Sequence, residues 1–362
     1  MKITSIQTGI MSLTLKKPFK TAVRTVDSIA DVVIKIETDS DVVGFGEAPP
    51  TGKITGDTSG AILGAIEDHI RPSLIGRDGD DLEGNLKVLQ ESIVGNTSAK
   101  AALDMALFDI WGKSLKAPLY RLLGGHREYI ETDITISVND PDEMTKDAIN
   151  AVDLGYRVLK IKVGKETGKD FERIRAIREA VGCEVKVRID ANQGWQPSEA
   201  VRILRSMEDA GFDIELVEQP VKAEDLEGMA HVTANTCIPV VADESIWSPK
   251  DALEIFRSKA ADMVNIKLMK CGGLANAMKI IAISEIFGAE VMLGSMLEGQ
   301  VSASAAVHLA LSKSNVTRID IDGPLLCSSL LNLGGAHFVG PVITPGEGFG
   351  IGVTIIPDIA WN

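Results

Sequence analysis

The sequence predicts an α/β fold, a (β/α)7β TIM-like barrel preceded by an N-terminal α+β capping domain. Two observations lead to this prediction. After about residue 126, strand-like runs alternate with helical runs, which is typical of a parallel sheet built from βαβ units. Before that point, strand-like runs and helical runs stand in separate blocks, as they do in a small α+β domain.

The predicted capping domain covers residues 1–125. Two strand-like runs, Ile3–Leu15 and Ala30–Glu37, are followed by the segment GFGEAPP at 44–50 and then by helices. The clearest helix begins near Thr97, where apolar residues repeat with helical spacing and predict a single apolar stripe. The residues of this stripe are Ala99, Leu103, Ala106, Leu107 and Ile110.

The predicted barrel covers residues 126–324 and contains eight strands. These strands are Ile130–Val138, Val158–Val163, Val185–Asp190, Ile214–Glu218, Pro239–Asp243, Met263–Leu268, Glu290–Gly294 and Thr317–Asp322. Capping side chains before proline, at Asp140-Pro141 and Ser248-Pro249, mark helix starts between them. Seven helices between eight parallel strands make a (β/α)7β barrel. Residues 325–362 are rich in glycine and are predicted to return to the capping domain.

Composition narrows the range of partners and locations. The formal net charge is −14 and no basic stripe is present, so nucleic acid is not an expected partner. Four cysteines lie far apart without a CxxC pair, which is typical of free thiols in a cytoplasmic protein. No signal peptide and no run of about 18 apolar residues is present, so no membrane association is expected.

Charged residues at the ends of five successive predicted strands indicate the site. They are Lys162, Asp190, Glu218, Asp243 and Lys267. Functional groups at the carboxyl ends of parallel strands are typical of α/β-barrel active sites. Three carboxylates converging there favour a hard cation such as Mg²⁺.

The two lysines indicate proton transfer. In a closed eight-stranded barrel, strands two and six face each other, which places Lys162 and Lys267 on opposite sides of a bound substrate. Two bases on opposite faces of one carbon atom suit racemisation or epimerisation. Lys160 shares a strand face with Lys162. A nearby cation is expected to lower the pKa of these lysines, so that they act as bases near neutral pH.

Strand eight carries two further carboxylates, Asp320 and Asp322, in the segment RIDIDGP. They are two residues apart and are predicted to share a face, across the pocket from the metal. In that position they could hold the ammonium group of a substrate. The alternative is a structural ion pair, for example with Arg318.

At these residues the chain resembles the enolase superfamily, in its muconate-lactonizing-enzyme subgroup. The resemblance rests on the KxK pattern of strand two and on DANQGW, EQP, ADES and NIKLMKCGG, and it spans nearly the whole chain. The resemblance implies an enolase-like fold and one Mg²⁺ per subunit held by Asp190, Glu218 and Asp243. It makes Lys162 and Lys267 the acid/base pair, and Lys160 the auxiliary lysine.

Within the subgroup the chain most resembles the dipeptide epimerases. The Asp320/Asp322 pair matches the residues that bind the dipeptide ammonium group, and Arg24 in KPFKTAVRT matches an arginine that meets an acidic side chain. Ile54–Asp57 matches the second specificity loop, and Lys53 precedes it. The resemblance implies that seven residues bind the substrate: Arg24, Thr135, Lys160, Ser295, Met296, Asp320 and Asp322.

The implied activity is a Mg²⁺-dependent dipeptide epimerase that inverts the α-carbon of the C-terminal residue through an enediolate. Alanyl-glutamate is the expected substrate, murein-peptide recycling the expected role, and a homo-oligomer such as an octamer the expected assembly. The alternatives are o-succinylbenzoate synthase, N-acylamino acid racemase or muconate cycloisomerase activity, or a non-catalytic barrel that only binds ligands.

Overall fold

The computed structural model describes residues 1–21 and 25–362. The first strands form a three-stranded antiparallel sheet in the order β1-β2-β3. They are β1 (Ile3–Lys20), β2 (Thr25–Thr38) and β3 (Val43–Ala48). Arg24, predicted to contact the substrate, lies outside the described residues.

Five α-helices follow the antiparallel sheet. They are α1 (Ser59–Ala65), continued by a π-helical turn at Ile66–Ile70 into α2 (Arg71–Leu74), then α3 (Leu82–Glu91), α4 (Thr97–Ser114) and α5 (Leu119–Leu123). The predicted single apolar stripe on α4 is wrong, because this helix is buried on almost every side. Its neighbours include both β3 and helices of the barrel, so it has no solvent face over most of its length.

The barrel is a parallel sheet of eight strands in the order β12-β11-β10-β9-β8-β7-β6-β5. These strands are β5 (Ile134–Ile136), β6 (Val158–Lys162), β7 (Lys186–Asp190), β8 (Ile214–Glu218), β9 (Val240–Ala242), β10 (Met263–Ile266), β11 (Val291–Gly294) and β12 (Val316–Asp320). Backbone contact between the first and last strands, from Asp133 N–H to the Ile319 carbonyl at 3.2 Å, helps to close the barrel. The predicted fold class is confirmed.

The first predicted barrel strand, Ile130–Val138, is not one strand. Its first part is β4 (Ile130–Glu131), which pairs antiparallel with a strand near the C-terminus, and only β5 joins the barrel. The sequence pattern is the same for both parts because each is extended and half-buried. Hydrophobic alternation reports an extended strand but does not identify its partner.

Helices alternate with the barrel strands and lie outside them. They are α6 (Pro141–Asp153), α7 (Thr167–Val181), α8 (Pro197–Asp209), α9 (Leu226–Ala234), α10 (Pro249–Ser258), α11 (Leu268–Cys271), α12 (Leu274–Ile286), α13 (Gln300–Ser312) and α14 (Gly323–Leu326). The Ser248 hydroxyl accepts a hydrogen bond from Asp251 N–H, as expected of the residue before Pro249. Asp140 makes no such bond.

Two buried carboxylates from the first part of the chain cap barrel helices. Asp104 on α4 accepts from Leu274 N–H at 2.6 Å, at the start of α12. Glu47 on β3 accepts from Gly299 N–H at 3.0 Å and Ser302 N–H at 2.8 Å, at the start of α13. Helix N-termini expose unpaired N–H groups, so these carboxylates satisfy donors that would otherwise be buried without a partner.

The C-terminal segment contacts both the barrel and the antiparallel sheet. Its strands β13 (His337–Val339) and β14 (Val342–Thr344) form a small sheet with β4. Farther along, Asn362 and Thr8 exchange two backbone hydrogen bonds, of 2.9 and 3.1 Å. Among the helices of the described residues, none combines the length and apolar character needed to cross a membrane.

Candidate active site

The barrel brings the five predicted strand-end residues together: Lys162, Asp243 and Lys267 line a pocket, and Asp190 and Glu218 are buried against its lining residue Lys160. Asp190 and Glu218 end β7 and β8 and are completely buried, while Asp243 follows β9 directly. Lys162 ends β6, and Lys267 follows β10. Since β6 and β10 are four places apart in an eight-stranded order, the two lysines project from opposite sides of the barrel, as predicted.

Each site lysine contacts a carboxylate. The Lys162 ammonium donates to Asp190 Oδ2 at 2.6 Å, and the Lys267 ammonium donates to Asp243 Oδ2 at 2.8 Å. Lys160 lies between two of the carboxylates, 2.6 Å from Glu218 Oε2 and 3.2 Å from Asp190 Oδ2. The arc of acids is therefore partly neutralised by the same lysines that were predicted to move protons.

These contacts change the proton affinity of two lysines. Burial lowers the pKa of Lys160, but the carboxylates of Asp320, Glu218 and Asp190 raise it more, and the net pKa lies well above the usual range. For Lys267, burial again lowers the pKa, but the neighbouring carboxylates, Asp243 foremost, together raise it by more than burial lowers it. The net shift of the Lys267 pKa is therefore upward. Direct carboxylate contacts outweigh burial for these two side chains. The lowering of the lysine pKa values by a nearby cation stays a prediction.

The carboxylates differ among themselves. Burial would raise the pKa of Asp190, but Lys162 and Lys160 together lower it to about 2. Burial and the neighbouring charge of Asp190 raise the pKa of Glu218 to about 8 despite its contact with Lys160. A cation near Glu218 would relieve the repulsion that raises this pKa.

The donor set fits a Mg²⁺ ion. Three carboxylates from consecutive strands supply hard oxygen ligands, and all are buried. Two nearby amide side chains each leave a buried oxygen without a hydrogen-bond partner, Oδ1 of Asn192 and Oδ1 of Asn265. The amide of Asn265 donates to Glu218 Oε1 at 2.8 Å, which orients that carboxylate. Buried oxygens without donors are what an oxygen-preferring cation requires.

Backbone geometry holds the strand ends in place. Gln219, directly after Glu218, has a φ of 36°, and Asn192 and Gln193 after Asp190 have φ values of 42° and 67°. Left-handed φ in non-glycine residues is strained and clusters at functional sites. The Gln219 amide oxygen accepts from the backbone N–H groups of Asp243 and Ser245, at 2.9 and 3.1 Å, which ties the ends of β8 and β9 together.

Asp320 and Asp322 occur where predicted but have different partners. Asp320 ends β12 and accepts from Lys160 at 2.7 Å, while Asp322 lies beyond the strand and accepts from Thr135 N–H at 2.8 Å. Arg318, the alternative partner considered for them, pairs instead with Glu215 and Glu290.

The acidic side chains that lie closest together are not the predicted metal ligands. Within residues 1–21 and 25–362, the acidic groups close enough to hold a cation are Asp133, Asp320 and Asp322, with one oxygen of each within 4.8 Å of the others. The predicted ligands are separated by lysine ammonium groups. The compact group includes both residues that were predicted to hold a substrate ammonium.

The pocket collects most of the predicted substrate-binding residues. Thr135, Lys160, Ser295, Met296, Asp320 and Asp322 all line it, together with both acid/base lysines. Phe19 on β1 and Ile54 supply apolar walls from the first part of the chain.

The predicted second specificity loop, Ile54–Asp57, divides between two roles. Ile54 lines the pocket, whereas Asp57 accepts from Ser98 N–H at 3.1 Å in the first turn of α4. Lys53 is exposed and does not line the pocket.

Two residues of the site, Lys270 and Asp133, were not predicted from the sequence. The ammonium of Lys270 is buried, donates to both the backbone carbonyl and Oδ1 of Asp243, and reaches the Asn265 carbonyl at 3.1 Å. Its spacing of three residues from Lys267 was the available signal. Asp133 gave no signal, because it precedes the short strand β5 and its partners are distant in sequence.

Comparison with known proteins agrees with this architecture. Residues 5–124 match the model of the mandelate racemase / muconate lactonizing enzyme N-terminal domain, and residues 143–359 match the enolase C-terminal domain-like model. The L-Ala-D/L-Glu epimerase of Clostridium acetobutylicum is 57% identical over 93% of this chain and 94% of its own length.

Two solved structures are close relatives in three dimensions. A substrate-liganded complex of the L-Ala-D/L-Glu epimerase from Bacillus subtilis has a TM-score of 0.96 and 48% identity, covering 98% of this chain and 99% of its own. The dipeptide epimerase from Enterococcus faecalis, complexed with Mg and L-Leu-L-Tyr, has a TM-score of 0.95 and 39% identity, covering 98% and 100%. With both of its parts matched and relatives this similar over nearly its full length, the chain belongs to the mandelate racemase/muconate lactonizing enzyme family of the enolase superfamily.

Proposed function

We propose that this protein is a Mg²⁺-dependent dipeptide epimerase that inverts the α-carbon of the C-terminal residue, with L-Ala-D/L-Glu as substrate. The observation that carries the proposal is the shared pocket. It places two lysines on opposite strands, beside an acidic arc and a separate pair of carboxylates. The relatives compared above are epimerases, so the predicted enzyme class, an isomerase, is confirmed.

Asp190, Glu218 and Asp243 would hold one Mg²⁺ per subunit. When bound, the ion supplies positive charge that stabilises the negative charge developing on the substrate carboxylate as the α-proton leaves. Gln219 and Asn265 would keep the carboxylates oriented through the hydrogen bonds described above. Lys270 would fix Asp243 through Oδ1, the carboxylate oxygen that Lys267 does not contact.

Lys162 and Lys267 would exchange the α-proton. One lysine in its neutral form removes the proton from one face, and the other, as an ammonium, returns a proton to the opposite face. Inversion requires both, because one base alone can only return the proton to the face it came from. Lys160 would remain charged, since Asp320, Glu218 and Asp190 all favour its ammonium form.

Asp320 and Asp322 would bind the ammonium group of the dipeptide. Both line the pocket and both are nearly buried, at 4% and 6% exposure, and Lys160 is shared between Asp320 and two other acids, so a substrate cation is favoured there. This separates a dipeptide from the substrates of the alternative subgroup activities, which carry no free ammonium. Arg24 as the partner of an acidic side chain, a cytoplasmic location, homo-oligomerisation and a role in murein-peptide recycling remain predictions.

Deuterium exchange tests the proposal directly. In D₂O with Mg²⁺, L-Ala-L-Glu should gain deuterium at the glutamate α-carbon and convert to the L,D isomer, and EDTA should stop both. The absence of exchange with every dipeptide of a broad Ala-Xaa and Xaa-Glu panel would exclude the proposed activity and favour the non-catalytic alternative.

Asp322→Asn discriminates within the family. Its loss of a pocket charge should greatly reduce activity on L-Ala-L-Glu. Two results together would favour the alternative subgroup activities. The wild-type protein would be more active on an N-acylated amino acid than on dipeptides, and Asp322→Asn would leave that activity unchanged.

A further inference from the structure

Asp133 is a buried carboxylate that stands next to the ammonium-binding pair. It has no exposed surface and does not line the pocket, whereas Asp320 and Asp322 do. One oxygen of Asp133 lies within 4.8 Å of an oxygen of each of them. Its Oδ2 accepts from the guanidinium of Arg188 at 2.8 Å, and its Oδ1 has no hydrogen-bond partner. An orphaned carboxylate oxygen is unusual in a fully buried position.

The positive charges around this cluster are shared with other acids. Lys160 contacts Asp320 but also Glu218 and Asp190. Arg188 contacts Asp133 but also Glu215, at 2.6 Å. The three closely packed carboxylates are therefore balanced by two cations, Lys160 and Arg188, and each of these also contacts acids outside the cluster. A buried group of this kind gains free energy when a further cation arrives.

We propose that Asp133 is a positioning residue for the substrate ammonium: it strengthens ammonium binding by Asp320 and Asp322 without touching the substrate. The inference deepens the proposed function and rests on it. Asp133 adds a third carboxyl group behind the two acids that line the pocket, Arg188 fixes its position, and an arriving ammonium group favours its charged form. The subsite thereby selects a substrate with a free amino terminus over one of equal shape that lacks the charge.

Proton affinity in the cluster agrees with this arrangement. Burial, and then the charge of Asp320, raise the pKa of Asp133 well above its usual range, while Arg188 and Lys160 oppose the shift. Burial and Asp320 also raise the pKa of Asp322. Mutual repulsion of this kind is relieved by an added cation, whether a proton or an ammonium group.

The test compares two ligands that differ only in charge. L-Ala-L-Glu and N-propionyl-L-Glu have nearly the same shape, but the second lacks the ammonium group. In the Mg²⁺-loaded protein, the KM of the dipeptide is compared with the inhibition constant of N-propionyl-L-Glu, for wild type and for Asp133→Asn. We expect the substitution to raise KM for the dipeptide about tenfold, with little change in kcat, and to leave the N-propionyl constant nearly unchanged.

Two further variants separate this role from a structural one. Asp104→Asn removes an equally buried carboxylate that does not line the pocket and should leave both constants unchanged. If Asp133→Asn does not fold, Asp133→Asn/Arg188→Gln removes the ion pair as a unit, and Glu215 keeps Lys186 and Arg318 as partners. Equal losses for both ligands, or no change for either, would overturn the inference. A wild-type protein without α-proton exchange would instead overturn the proposed function.

Discussion

Two groups of buried carboxylates occupy this molecule, and they are balanced in different ways. In the pocket, Asp190 contacts the ammonium groups of Lys162 and Lys160, and its pKa falls to about 2. Between the first part of the chain and the barrel, Asp104 accepts hydrogen bonds from backbone N–H groups of α12, and burial raises its pKa to about 8. Both side chains are completely buried.

The difference shows that burial alone does not decide the charge of an acid. The full positive charges of two lysines overcome the cost of burial for Asp190, whereas the partial charges of a helix N-terminus do not overcome it for Asp104. Glu47 lies in a comparable position at the start of α13, and burial together with the charge of Glu47 raises the pKa of its neighbour Asp31 well above the usual range. The pocket therefore contains charge that can act on a substrate. At the contact between the two parts of the chain, Asp104 and Asp31 have raised pKa values and accept hydrogen bonds from backbone N–H groups.

The largest expected effect comes from removing a pocket lysine. Lys162→Ala and Lys267→Ala should each reduce epimerisation by about a thousandfold or more, because general acid/base groups contribute on this scale. One variant should still exchange the α-proton of a single stereoisomer, since its remaining lysine reaches one face. The measurement is product formation by polarimetry together with deuterium incorporation by NMR. Epimerisation at a near wild-type rate in either variant would contradict the two-lysine arrangement.

A smaller effect is expected from Asp104, and it concerns stability. The folded-state pKa lies above the ordinary value of 3.8, so the folded protein holds this proton more tightly than the unfolded chain. The resulting stabilisation is present at low pH and is lost as the pH rises towards about 8. Asp104→Asn keeps an oxygen acceptor for Leu274 N–H but cannot ionise.

We therefore expect Asp104→Asn to weaken this pH dependence, with a gain relative to wild type of about 1–2 kcal/mol between about pH 5 and about pH 8. Urea unfolding at both pH values measures it, with metal-free protein used throughout. Parallel pH dependence in the two proteins would show that Asp104 is not the titrating group.

The smallest effect is expected from an ion pair at the protein surface. The Lys17 ammonium lies 2.6 Å from Asp147, but the Lys17 side chain is 70% exposed. Solvent screens such pairs, so Lys17→Ala should change the free energy of unfolding by less than about 0.5 kcal/mol. Thermal unfolding at low and moderate salt gives the comparison. If Lys17→Ala changed the free energy of unfolding as much as Asp104→Asn does, then pairing, and not burial, would determine the size of such effects.

The residues that could be predicted from the sequence are those with a local pattern. The barrel strands were located within a few residues because buried runs end at glycines, capped prolines or charged residues, and Asp190 and Glu218 fall at their observed ends. The number of strands between them was enough to predict that β6 and β10 lie opposite each other in the barrel. These features depend on periodicity and order, which a single sequence contains.

The features that escaped prediction depend on partners distant in the chain. Asp104 and Glu47 accept from helices that begin more than a hundred residues later, and nothing near them in sequence indicates it. The pairing of β4 with β14 is of the same kind. The raised pKa values of Lys160 and Lys267 also required the structure, because they depend on distances of a few ångströms between side chains on different strands.

The hydrogen bonds between Thr8 and Asn362 have a consequence for biosynthesis. A ribosome makes the β1 strand early, but part of its backbone finds its partner only after residue 362 has been made. Contacts of such long sequence separation form late and slowly. Because Phe19 on this same strand forms a wall of the pocket, a nascent chain should enclose a substrate only after it has completed its barrel and the segment that pairs with Thr8.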